Sequence, residues 1–297
     1  MYYNFISIWL LAITATNAVE NQARATKPNG KAGIGFPVQE GSAAPVSQFF
    51  TPDSTVSWWF NWHKNWNQGV MQADNVTIDA EFIPMLWSTE FLDDKASFQE
   101  GFTTLLGYNE PDLPAHVGVS IDLEPAEASD KWKEQVVKIR ERYPNVKVAS
   151  PVMASNKTWI LDFMNLICPE YSAIDSWGNC QYKPDYLLTH LYSTDVTYFK
   201  NTLSDMHRDL GLPMIISEFA CYHFNTDPHP EIEQVSTYME NTMNWLDQQE
   251  WIIKYAWFGA MIDSANLHNV DETNRLLDDK GALTDLGKQY MNGGKKV

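Results

Sequence analysis

Two glutamates stand at the ends of apolar runs. Glu110 follows Leu106-Gly107-Tyr108-Asn109, and Glu218 follows Ile215-Ile216-Ser217. A carboxyl placed directly after a buried strand is costly unless it has a partner or a task. An ion pair or a helix cap accounts for either residue alone. Two carboxyls brought to one site suit the cleavage of a glycosidic bond, where one protonates the leaving oxygen and the other attacks the sugar or activates water. Separations of about 5–5.5 Å go with retention and roughly 6.5–9.5 Å with inversion. The two pKa values must then be pushed apart, with the acid raised and the nucleophile kept ionised.

The elements that must position this pair recur along the chain. Eight short apolar runs alternate with longer amphipathic stretches: 33–36, 56–62, 82–87, 103–109, 146–152, 186–192, 213–219 and 252–259. Several are hydrophobic almost throughout, as strands buried on both faces of a parallel sheet are. Helices are expected at 124–143, 155–167, 196–210, 231–249 and 284–291. In the first of these Pro125 suits the opening turn, and Trp132, Val136 and Ile139 make an apolar stripe at i, i+4 and i+7. The first three units have no clear helices, and 41–54 reads as loop. Eight β-α units in one domain give an α/β fold, a single (β/α)8 TIM barrel, over residues 32–297. The active site of such a barrel lies at the C-terminal ends of its strands. Glu110 then sits at the mouth of strand four and Glu218 at the mouth of strand seven.

Composition narrows the partners. The formal net charge of −17 disfavours nucleic acid and anionic membrane but suits a neutral polymer. The first 18 residues carry no charged side chain and contain the apolar run Phe5–Ile13, too short to span a bilayer. They read as a signal peptide ending at Ala18, followed by a flexible arm over 19–31, so secretion to the extracellular space or cell wall is expected. Of the three cysteines, Cys168 and Cys180 lie close together and are a candidate disulfide, with Cys221 left over as a free thiol. Asn75 and Asn156 head glycosylation sequons. No spacing typical of a metal site and no phosphate loop appears, so no cofactor is expected, and the chain is read as a monomer.

Asn109-Glu110-Pro111 on strand four with a glutamate on strand seven resembles clan A of the glycoside hydrolases. Gly107–Asp112, Ala149-Ser150-Pro151-Val152, His190-Leu191-Tyr192 and Ser217–Cys221 together resemble glycoside hydrolase family 128, mainly retaining endo-β-1,3-glucanases, over about 33–259. The resemblance implies that Glu110 is the acid/base, Glu218 the nucleophile and Asn109 a ligand of the sugar 2-hydroxyl. Leu191 departs from the pattern, which has a Trp there; strand parity turns that position toward the helices.

His190 and Tyr192 share a parity on strand six and point into the barrel mouth, where Tyr192 can donate to Glu218. The 12 Trp exceed what a core alone requires. Trp58 and Trp59 are adjacent and must face opposite ways, so one belongs to the helix layer. Trp87 and Trp257 are the favoured sugar platforms, with Tyr108 a weaker one. The substrate expected is cell-wall β-glucan, cleaved internally. The alternatives are an exo-β-glucosidase, a cellulase or a mannanase, or a glucan-binding protein without turnover.

Overall fold

Strand parity sorts the apolar residues into two layers. Trp58, Phe60, Ile83, Met85, Leu106, Ala149, Val152, Leu188, Ile215 and Ala256 form one buried cluster. Their strand neighbours, including Trp59, Leu105, Val148, Leu187, Ile216 and Trp257, join a larger cluster with the helices. One cluster fills a barrel and the other seals it to the helix ring, the arrangement that alternation on closed parallel strands produces. Trp58 and Trp59 separate as their adjacency requires. The computed structural model describes residues 30–66, 76, 78–89, 98–114, 121–154, 156–169, 177, 179–224 and 229–296.

The strands are β1 (Ala32–Gly35), β2 (Trp58–Phe60), β3 (Glu81–Phe82), β4 (Thr104–Leu105), β5 (Lys147–Met153), β6 (Tyr186–Tyr192), β7 (Met214–Ala220) and β8 (Ile252–Trp257). They pair in parallel in the order β3-β2-β1-β8-β7-β6-β5-β4. A parallel bridge between Met85 and Leu106 joins the two ends. Around that bridge Leu86 N–H donates to Leu106 O at 2.9 Å, and Asn109 N–H donates to Trp87 O at 3.0 Å. The eight parallel strands with helices between them form the expected (β/α)8 barrel.

The helices are α1 (Ala44–Ser47), α2 (Pro125–Arg142), α3 (Lys157–Ile167), α4 (Val196–Leu210), α5 (Ile232–Gln248) and α6 (Asp285–Met291). Pro125 opens α2, and Trp132, Val136 and Ile139 are buried. Asp195 caps α4 by accepting from Thr197 and Tyr198 N–H, and Gly211 ends it at φ 63°. The first units are thin, as expected. One four-residue helix, α1, and the turn Val38–Glu40 are all that follow β1, and no helix appears after β2 or β3 among the described residues.

The leader and nearly all of the arm lie outside the described residues, as do Asn75 and Thr77 of the first sequon. Lys31, the last residue of the arm, is anchored: its Nζ donates to Leu246, Asp247 and Gln249 carbonyls at the end of α5. Asn156 is exposed and caps α3, its Oδ1 accepting from Trp159 N–H at 3.2 Å. Cys168 and Cys180 are disulfide-bonded, and Cys221 is buried and free.

Candidate active site

The mouth of the barrel holds a cavity of about 1030 Å³ lined by Trp62, Trp87, Asn109, Glu110, Tyr192 and Glu218, among others. Each carboxyl reaches it through a local distortion. At the end of β4 the chain turns at Gly107, where an added Cβ would lie 2.2 Å from Ser150 O. Tyr108 then faces outward, Asn109 inward, and Glu110 adopts φ 45°. Asp112 fixes the turn that follows by accepting from Ala154 N–H and Asn156 N–H.

In β7 the distortion is a bulge. Thr189 pairs with Ile216 but His190 pairs with Glu218, so Ser217 is an extra residue. The β8 side shows the same insertion, with Tyr255 opposite Ile216 and Trp257 opposite Phe219. Ile215 faces the barrel interior, so regular alternation would turn Glu218 toward the helices. The bulge reverses that: Glu218 enters the cavity and Phe219 packs in the outer layer.

Backbone strain gathers at the same place. Five non-glycine described residues have positive φ, and four of them, Trp62, Glu110, His268 and Asn269, line the cavity. Such conformations cost about 1–3 kcal/mol each and persist where the surroundings over-determine them. For His268 and Asn269 that support includes Glu40, which accepts from Ile262 N–H and from Asn266 Nδ2 in the same loop.

The polar contacts form a tight network. His190 Nδ1 lies 2.7 Å from Glu110 Oε1 and 3.3 Å from Glu218 Oε2, and its Nε2 lies 2.9 Å from Ser217 Oγ. Glu218 accepts from Trp62 Nε1 at 2.8 Å and from Tyr192 OH at 2.6 Å. With Nδ1–H donating to Glu110, the imidazole places its proton between the two carboxyls.

Burial disfavours a charge on His190, but Glu218 and Glu110 outweigh it and hold the imidazole pKa above its ordinary value. Burial first, and then the charge of Glu110, raises the Glu218 pKa. His190, Tyr192 and Trp62 pull it back toward ionisation. Burial also drives the Tyr192 hydroxyl well above its usual pKa, so it stays a donor.

Glu110, His190 and Glu218 each offer one ligand atom, all within 4.8 Å of one another. A cation would fit that spacing. The Glu110–His190 and Tyr192–Glu218 distances, 2.7 and 2.6 Å, are those of hydrogen bonds.

Not every expected residue reaches the cavity. Trp87 lines it. Trp257 does not: it is 0% exposed, packs at right angles to Phe219, and donates from Nε1 to Asn274 O. The parity of β8 turns Ala256 inward and Trp257 outward. Tyr108 is likewise 0% exposed, stacked edge-on to Trp132 with its hydroxyl donating to Gln135 Oε1. Both support the wall from behind.

In their place the cavity shows Trp62 and Phe258, whose rings lie 6.1 Å apart, with Phe258 5.8 Å from Tyr192. Phe258 was legible only as the opposite-parity neighbour of Trp257, and Ser217 carried no signal without the bulge. Leu191 packs in the outer layer and also lines the cavity on its α4 side.

A barrel with two buried carboxyls at the mouths of β4 and β7, bridged by an imidazole, is the architecture of a glycosidase. The chain belongs to the glycosyl hydrolase catalytic core family, whose profile matches residues 33–290, and within it is a family 128 domain. A family 128 exo-β-1,3-glucanase structure from Cryptococcus neoformans is 42% identical, with a TM-score of 0.80, covering 89% of this chain and 99% of that one. A family 128 endo-β-1,3-glucanase structure from Sorangium cellulosum is 25% identical, with a TM-score of 0.67, covering 90% and 100%. Alkali-sensitive linkage protein 1 of Schizosaccharomyces pombe is 24% identical over 241 residues, 81% of this chain and 42% of that protein. The chain thus spans about two-fifths of the length of that relative.

Proposed function

We propose that this protein is a secreted, retaining β-1,3-glucanase. The observation that carries the reading is the spacing of the carboxyls: an oxygen of Glu110 and one of Glu218 lie within 4.8 Å of each other. That is nearer the ~5–5.5 Å of a retaining pair than the roughly 6.5–9.5 Å of an inverting one, and favours direct attack. Glu218 attacks the anomeric carbon while Glu110 gives its proton to the glycosidic oxygen, which departs as an alcohol. Water then attacks the glycosyl ester, losing a proton to Glu110, and Glu218 leaves as a carboxylate. Trp62 and Tyr192 hold the Glu218 oxygens in line. His190 carries a proton between the two carboxyls and keeps them from repelling each other. Asn109 meets the sugar 2-hydroxyl, and Trp87, Trp62 and Phe258 take its apolar C–H faces.

The linkage follows the similar β-1,3-glucanases. The 42% identity to an exo-acting enzyme favours release from chain ends over the internal cleavage that the motifs suggested. Incubation with laminarin, cellulose and mannan, followed by product chromatography and NMR of the first-formed anomer, tests this. Glucose or a single short oligosaccharide in the β configuration, from laminarin alone, is expected. A ladder of products restores internal cleavage, α-configured product removes retention, and no release from laminarin removes the substrate. Glu218→Ala supplied with azide is expected to give an α-glycosyl azide; activity equal to wild type would mean that Glu218 is not the nucleophile. It would also separate a hydrolase from a protein that only binds glucan.

A further inference from the structure

The cavity runs on beyond the carboxyls, past the ends of β5 and β6, to the flank of α4. There Leu191 and Met206 are its buried floor, and Lys157, Tyr198, Thr202 and Asp205 its edges. Tyr198, Thr202 and Asp205 stand at i, i+4 and i+7 on one face of the helix. Tyr198 is 55% exposed. Among the described residues four large apolar side chains are exposed, by 40–55%, and the two most exposed, Tyr198 and Phe224, line this cavity.

The charges here are already matched: Asp205 pairs with Arg208, and Lys157 with Asp209. The surface therefore offers an aromatic face, an apolar floor and a hydroxyl, with paired ions at the rim. Those features suit a neutral polyol better than an ionic ligand.

The order of strands says which part of a substrate would lie there. Round the ring, β5 and β6 stand between Glu110 on the β4 side and Glu218 on β7. Trp62 and Phe258 lie on the far side of Glu218, toward β8 and β2. The sugar under attack sits over the nucleophile and these rings, and the departing oxygen points to the acid.

The geometry points to the flank of α4 as a second saccharide-binding surface, built on Tyr198, that holds the glucosyl units on the leaving-group side of the scissile bond. This rests on the β-1,3-glucanase reading above. Leu191 is part of its floor, and a larger side chain there would close the passage.

The test compares kcat/KM for laminarihexaose with that for laminaribiose in the wild type, Tyr198→Ala and Thr202→Trp. Tyr198→Ala is expected to lower the hexaose-to-biose ratio about fivefold, the value of one aromatic platform. Thr202→Trp fills the groove and is expected to bring the ratio close to one. Ratios within twofold of wild type in both variants would overturn the surface while leaving the hydrolase reading intact. If the wild type turns over neither compound, the hydrolase reading fails, and calorimetric titration of laminarihexaose into the same three proteins decides the surface. Weaker binding to Tyr198→Ala supports it, and equal binding or none to the wild type refutes it. Tyr198 is exposed and Thr202 half-buried, so both variants are expected to fold, which thermal unfolding checks.

Discussion

Tyr192→Phe isolates one of the forces on Glu218. Two donors face Glu218, Tyr192 OH at 2.6 Å and Trp62 Nε1 at 2.8 Å, with the His190 imidazole 3.3 Å away at Nδ1. The substitution deletes the shortest contact and keeps the ring that packs against Phe258 and Phe224. A hydrogen bond to an ionised group is worth about 1.5–3 kcal/mol. Burial already raises the Glu218 pKa, and the tyrosine hydroxyl opposes that, so its loss raises the pKa further. Below the acid limb the protonated carboxyl is no nucleophile, and at ~1.36 kcal/mol per decade the loss of kcat/KM there is about 10–100-fold. Above the limb the carboxylate is ionised in either protein, and the loss is smaller. The assay is kcat/KM on a laminari-oligosaccharide across the acid-to-neutral range, with thermal unfolding as a control for folding. A limb displaced to higher pH is expected; because the groups interact, it belongs to the Glu110–His190–Glu218 set as a whole. A loss equal at all pH values, or a limb moved to lower pH, would refute the assignment of Tyr192 as the group that keeps Glu218 charged.

Glu218→Gln should make the protein more stable near neutral pH, by about 1 kcal/mol, while abolishing turnover. The folded-state pKa of Glu218 lies above the unfolded one, so stability present in acid is lost as pH rises through the folded value. Denaturant titrations at neutral and acidic pH should show the gain shrinking in acid; a gain that grows there would contradict the sign. Gly107→Ala should cost about 1–3 kcal/mol by overpacking and lower activity further by displacing Asn109 and Glu110. The added carbon would meet Ser150 O at 2.2 Å and Ser150 C at 2.5 Å, both backbone atoms that cannot swing aside. Its melting temperature and kcat/KM check this. Replacing Cys168 and Cys180 by Ser opens a loop of sequence separation 12 and should lower stability by ~3 kcal/mol, read from denaturation midpoints.

The fold was legible where periodicity is long. Helices α2 to α5 follow from apolar stripes and caps, and the long strands β5 to β8 from continuous hydrophobic runs. β2, β3 and β4 hold only two or three paired residues, because the chain leaves the ladder at Trp62, Pro84 and Gly107 to build the site. Runs such as 56–62 and 103–109 therefore overstate their strands. Glu110, Glu218, His190, Tyr192, Asn109 and Trp87 come together, as their places at strand ends implied. Trp257 and Tyr108 were misplaced for one reason: an aromatic near a strand end is a platform only if parity turns it inward. Trp62 ends the run 56–62, and its left-handed backbone, which swings the indole onto Glu218, has no signature in a run of aromatic residues. Counting alternation from Ile215 would have sent Glu218 the wrong way, because a bulge is invisible until both neighbouring strands are in register.

That bulge has a consequence for how divergent sequences in this strand are compared. Ser217 is a spare residue: without it Ile216 and Glu218 would be consecutive, alternation from Ile215 would run on unbroken, and the glutamate would still face the cavity. What would go is the hydroxyl beside His190 Nε2. A shorter chain at this position can thus keep its nucleophile, and the proper place for an alignment gap is Ser217. A gap set two positions later, at Phe219, would pair Glu218 with a residue of the opposite face and make a working enzyme look like a dead one.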